Sequence, residues 1–222
     1  ASSGVNPAIE TWRGPLGLPE FERIGVADLE AAFAAALPAH LAEIEAIAEN
    51  PVEPSFENTV VALERAGDLL TNTANIFWNL ASAHADDALQ ALERDLAPRM
   101  SRHRSAITMN GALFARIDAL YRKTDALGLD GEAARVLELT WKSFVRAGAK
   151  LDADGQTRLA AINERLAELH TQFGDNLLHD EEAYTTFLTK DQLGGLSEGF
   201  VASSQAPRHP ATASAPIAAR LR

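Results

Sequence analysis

From about residue 28 onward, apolar residues recur every three or four positions, the spacing of one face of an α-helix. A first helix is expected from an Asp28 cap to about Glu49, with Leu29, Phe33, Leu37, Leu41, Ile44 and Ile47 on its apolar face. Pro38 should kink or split it, because proline lacks the N–H and crowds the preceding turn. Asn50-Pro51 and Pro54 break the pattern, and Ser55 restarts it as the cap of a long helix to about Ala85, with Gly67 as a close crossing or a weak point. Asp86 or Asp87 caps a third helix through Leu89, Leu92, Leu96, Met100, His103 and Ile107, with Pro98 inside it. A fourth is expected from Gly111 to Leu127. A fifth carries Leu137, Trp141 and Phe144 and closes at Gly148. Asp152 or Asp154 caps a sixth, whose stripe is Leu159, Ile162, Leu166, Leu169, Phe173 and Leu177.

The two ends read differently. Pro7, Gly14, Pro15, Gly17 and Pro19 punctuate the first segment, which is expected to lie as an extended arm held by Trp12, Leu16, Phe21 and Ile24. Residues 183–189 are rich in β-branched and aromatic side chains and predict one short strand with no partner in sight. Residues 203–222 hold three Arg, three Pro and no acidic residue, and lose all periodicity. They are expected to be a disordered tail, of a composition that a frameshifted or truncated gene would produce. The expected organisation is an arm at 1–24, a helical domain at 25–182, the start of a further subdomain at 183–202 and the tail. The fold class is mainly α, a kinked array of about six helices.

Composition narrows the function classes. The chain has 222 residues, 31 Asp+Glu against 20 Lys+Arg, and a net charge of -11. That balance disfavours nucleic acid or an anionic membrane as the main partner. The absence of Cys removes disulfides, thiolate metal sites and a Cys nucleophile. No run of about 18 uninterrupted apolar residues predicts a membrane span. The opening Ala1-Ser2-Ser3-Gly4 lacks the basic and apolar parts of a signal peptide, so the cytoplasm is the expected location.

Candidate chemistry is sparse. None of the six His lies three or four residues from another, so no helix offers a His pair to a metal. His179-Asp180-Glu181-Glu182 is the nearest imitation of a metal site, and it reads better as a solvated helix end. Should this chain carry a site of its own, His170 and His179 are the first residues to inspect. The carboxylates Glu10, Glu20, Glu22, Glu43, Glu45 and Glu49 are ordinary surface residues for so acidic a chain. Gly194-Gly195 is too short to cradle a phosphate, and Gly-x-Ser-x-Gly and both nucleotide-binding glycine patterns are missing. Arg99, Arg102, His103 and Arg104 form a weak basic cluster. Trp78 and Trp141 fall beside apolar stripes and are expected to pack. Catalytic and metal-binding residues are therefore expected to be none, and a binding site is not legible.

One resemblance adds to this reading. Asn6-Pro7, Trp12, Pro15, Gly17-Leu18-Pro19-Glu20-Phe21-Glu22-Arg23-Ile24 and Ala32-Phe33 resemble the opening of bacterial peptidyl-dipeptidases. So do residues 43–51, Pro54-Ser55-Phe56-Glu57-Asn58-Thr59, Ala62-Leu63-Glu64, Asn110–Ile117, Phe144–Leu151 and Leu166–Phe173 with Asn176 and Leu177. The similarity runs in order from about residue 5 to 202, to the peptidyl-dipeptidase, oligopeptidase A and thimet oligopeptidase group of zinc metallopeptidases. It implies the N-terminal helical wall of a channel that admits short peptides. The family's zinc is held by a His-Glu-x-x-His helix and a further Glu in its later part, so zinc is implied for a full-length enzyme and for no residue of this chain. The implied partners are a missing C-terminal catalytic domain and short peptides. Self-association through the apolar surface that domain would cover, and a free-standing helical peptide- or protein-binding module, stay open as alternatives. By itself the chain is expected to be inert.

Overall fold

The computed structural model describes residues 6–83, 86–183, 186–188, 190–203 and 217–219. The chain is mainly α and divides into two compact units, Ala1–Thr171 and Gln172–Arg222. Its helices are α1 (Val26–Ala48), α2 (Ala62–Arg65), α3 (Asp68–Ala83), α4 (Asp87–Thr108), α5 (Gly111–Tyr121), α6 (Gly131–Arg146), α7 (Ala153–Ala183) and α8 (Glu198–Ser203).

Helix starts follow short polar side chains. Asp86 accepts the Leu89 N–H, Asn110 the Leu113 N–H and Asp130 the Ala133 N–H, at 2.8–2.9 Å. Asp152 accepts the Gly155 N–H at 2.8 Å, settling which aspartate starts α7. Each satisfies a donor that the first helical turn leaves without a partner. Asp28 is a correction. α1 begins at Val26, and Asp28 sits in its first turn, where its carboxylate accepts the Gly25 N–H at 2.9 Å. α1 also runs through Pro38 without dividing, as α4 runs through Pro98.

The long second helix is the larger correction. Ser55 does cap, its Oγ accepting the Asn58 N–H at 3.1 Å while Asn58 Oδ1 accepts the Ser55 N–H at 2.8 Å. The first turns, Phe56–Val61, are π-helical, and α2 then stops at Arg65. Gly67 takes φ +84°, a left-handed conformation that breaks the helix and is cheap only for glycine. A Cβ there would stand 2.9 Å from the His40 ring, so α1 and the 66–68 turn meet at glycine distance. The fourth helix likewise ends early, at Tyr121, with a separate 3-10 turn at Thr124–Ala126.

The first unit is built around α1, which lies against α3, α4 and α5. Leu29, Ala32, Phe33 and Ala36 of α1 meet Leu70, Ile76 and Phe77 of α3 and Leu89, Leu92 and Leu96 of α4. Phe33 and Phe77 pack edge to face, 5.7 Å apart. The arm adds Ala8 and Ile24 to this core, and Asn6 Nδ2 donates to the Asp28 carbonyl at 2.7 Å. The other half of α1 contributes Ile44, Ile47 and Ala48 to a second core with Leu113, Ile117 and Phe144. A third, small core joins Val60, Leu120 and Leu137. By length and hydropathy alone α1 matches a membrane span, with an 18-residue window of mean hydropathy 1.3, although no such stretch was expected. Seven of its side chains are buried, which is what a helix covered by three others requires.

Buried Arg116 ties α5 to the 50–58 segment. It donates to the carbonyls of Asn50 at 2.7 Å and Val52 at 3.0 Å, and to Asn58 Oδ1 at 2.9 Å. The 50–58 and 110–117 stretches, which carry much of the resemblance, are thus one packing device.

In the second unit, Thr186–Leu188 runs antiparallel to Ile217–Ala219. This corrects the unpartnered strand: its partner lies among residues 203–222. Ser203 of the expected tail ends α8, and residues 204–216 and 220–222 fall outside the described residues.

Candidate functional site

α7 departs from its expected burial. Its apolar stripe at helical spacing predicts a covered face, and burial is what normally selects such a stripe. In the first unit, however, Ile162 and Leu166 are each 46% exposed and Leu169 41%. In the second unit the same helix leaves Phe173 69% exposed. Leu159, near the start, is pinned: the turn at Gly148, φ +99°, leaves room for it where a Cβ would lie 2.7 Å from its Cδ2. α7 therefore displays an apolar face without covering it.

Between α7 and α4, beside the end of α6, lies a half-open cleft of about 450 Å³. Met100, Leu159 and Leu166 line it with apolar groups, Leu166 being shared with the exposed face of α7. Ser101, Ser105, Thr108 and Asn163 line it with polar groups, and Arg104, Arg146 and His170 add positive or titratable ones. No carboxylate is among its lining residues, in a chain with 31 of them. The neighbouring arginines are engaged: Arg99 pairs with Asp95 at 2.7 Å, and Arg102 pairs with Glu164 across the two helices. Arg104 and Arg146 enter no ion pair among the described residues. The basic cluster read from the sequence is thus divided among surface pairing, the cleft and the core.

His103 belongs to the core. Its Nε2 lies 3.0 Å from His40 Nδ1 on α1, and its own Nδ1 is buried with no partner. Burial lowers the pKa of both imidazoles. For His103 the neighbouring His40 lowers it further, and for His40 the Glu43 carboxylate opposes the effect. Glu43 itself accepts the Gly67 N–H at 2.6 Å. The pair is a packing contact between α1 and α4, and no third metal ligand joins it among the described residues.

The remaining candidates are dispersed. Glu10 and Glu20 pair with Arg23 within the arm itself. His179 is exposed at the end of α7, and His84 and His209 lie outside the described residues. Among the described residues no three His, Asp or Glu gather as metal ligands. Trp141 packs as expected, stacked 4.2 Å from Tyr121 with its Nε1 donating to Asp118 at 2.9 Å. Trp78 is 48% exposed, because α3 turns it outward beside Phe77.

No family model matches the chain. It is 36% identical over 199 residues to a dipeptidyl carboxypeptidase of Escherichia coli, covering 89% of this chain and 29% of that protein. The dipeptidyl carboxypeptidase of Salmonella typhimurium is 35% identical over 179 residues, 81% of this chain and 26% of that protein. An organellar oligopeptidase A of Arabidopsis thaliana is 24% identical over 192 residues, 86% of this chain and 24% of that protein. The chain thus spans about a quarter of the length of these relatives, a match that fits an N-terminal region.

Proposed function

We propose that this chain, a homologue of the dipeptidyl carboxypeptidases and of oligopeptidase A, is the N-terminal helical wall of an oligopeptide-cleaving zinc metallopeptidase. The carrying observation is the uncovered apolar face of α7. Covering one half-exposed Leu or Ile gains about 1 kcal/mol, half the value for full burial. In this reading the face is covered by the catalytic remainder of such an enzyme, the chain's principal partner. Short peptides are then substrates of the completed enzyme, and its zinc is held in that remainder. The chain by itself is inert and resides in the cytoplasm, although one relative carries an organellar name.

A free-standing helical peptide- or protein-binding module is the second reading, and the cleft lined by Arg104 and Arg146 favours it. Cleavage of a quenched-fluorescence peptide by the purified chain, with added zinc and then with chelator, tests inertness. No cleavage is expected in either condition. Chelator-sensitive cleavage would overturn the reading and direct attention to His170 and His179.

A further inference from the structure

We infer that the cleft between α4 and α7 binds the phosphate group of a small phosphomonoester, held by the Arg104 and Arg146 guanidiniums and by donors from Ser105, Asn163 and His170. The first observation behind this is a set of unengaged donors. Arg104, Arg146, Ser101, Ser105, Asn163 and His170 line one cleft, and none of their side-chain polar groups has a hydrogen bond or ion pair among the described residues. Arg99 and Arg102, also on α4, are both paired. The second is the burial of Ser105. It is only 6% exposed, yet its hydroxyl has no protein partner. A buried hydroxyl ordinarily has one, and a ligand oxygen in the cleft supplies it.

Helical spacing groups these residues. Ser101, Arg104 and Ser105 share one face of α4, and Asn163, Leu166 and His170 share one face of α7. The cleft they leave, about 450 Å³, is large enough for a small organic ligand. A phosphomonoester carries about -1.5 to -2 charge at pH 7 and three strong acceptor oxygens. Guanidinium forks match those oxygens in pairs, and hydroxyl and amide donors satisfy the rest. No lining carboxylate repels the anion. Arg104 lies near the C-terminal end of α4 and Arg146 at that of α6, and helix carbonyls there oppose an anion. Each helix end contributes roughly half a negative charge, so two full guanidinium charges outweigh them. Met100 and Leu159 receive the apolar part of the ester. The inference goes beyond the wall reading: it invokes no catalytic group, and neither Ile162 nor Leu169 of the exposed face lines the cleft.

Isothermal titration calorimetry of the full chain with phenyl phosphate, inorganic phosphate and benzoate, at one ionic strength, tests it. Phenyl phosphate is expected to bind at least tenfold more tightly than benzoate and at least threefold more tightly than inorganic phosphate. Arg104→Gln and Arg146→Gln should each weaken phenyl phosphate at least fivefold, and Ser105→Ala at least twofold. Both arginines are exposed, so circular dichroism should report an intact fold for those two variants. Absence of phenyl phosphate binding would overturn the inference, as would equal binding of benzoate or indifference to both arginine substitutions. Inorganic phosphate binding as tightly as the ester would also overturn it, in favour of a free-phosphate site. Peptide cleavage plays no part in the readout, so failure of phosphate binding and failure of the wall reading remain distinct.

Discussion

Gly67 makes a tight approach in the first unit with no side chain of its own. It combines φ +84° with 2.9 Å between a hypothetical Cβ and the His40 ring. Gly67→Ala is expected to cost about 1–3 kcal/mol, since it adds backbone strain to a displaced ring. Urea unfolding monitored by circular dichroism measures it, and a change below about 0.5 kcal/mol would contradict the close crossing. The His40–His103 pair gives the same junction a pH dependence. Burial holds both imidazoles below their ordinary value, so between the folded and unfolded values the unfolded chain binds more protons. Stability from the pair is therefore complete above the unfolded pKa of about 6.5 and is lost as the pH falls from there toward the lowered folded values. Tm should drop more steeply from about pH 7.5 to 5 in the native chain than in a His40→Gln/His103→Gln variant. Equal slopes would refute this.

At the scale of elements, α5 and α7 are opposites. Ile117 of α5 is 0% exposed and Ile162 of α7 is 46% exposed. Ile117→Ala should cost about 2–5 kcal/mol and Ile162→Ala less than about 1, measured by urea unfolding of the chain alone. Gly174, inside α7 with open space where a Cβ would stand, should tolerate alanine and gain about 0.5–1 kcal/mol. Comparable losses at Ile117 and Ile162 would mean that α7 is covered after all. These contrasts also mark what was legible in the sequence. Ser55, Asp86 and Asp152 act within three residues of themselves, so their capping was read locally; Asn110 and Asp130 cap in the same way but were passed over. Gly67 could be read as a close crossing or a weak point, but its partner could not, because the crossing is set against His40, far back on α1. Periodicity finds the stripe on α7 but carries no information about what lies over it. The cleft escaped for the same reason: Arg104 and Arg146 come together only when α4, α6 and α7 are assembled. His40 and His103 follow no helical spacing, since they meet across 63 positions of sequence.

The whole molecule poses a question of completeness. Three small cores hold the first unit together, yet its last helix leaves apolar side chains in water. Those side chains are the proposed seam of a larger enzyme. The most direct measurement is peptide cleavage by a chimera in which this chain replaces the aligned segment of the Escherichia coli dipeptidyl carboxypeptidase. Chelator-sensitive cleavage is expected from the chimera, with at least a tenfold loss when Ile162→Glu and Leu169→Glu are introduced together. The isolated chain should keep its fold with both changes. A folded chimera without activity, or one whose activity is indifferent to charge on that face of α7, would contradict the proposed role.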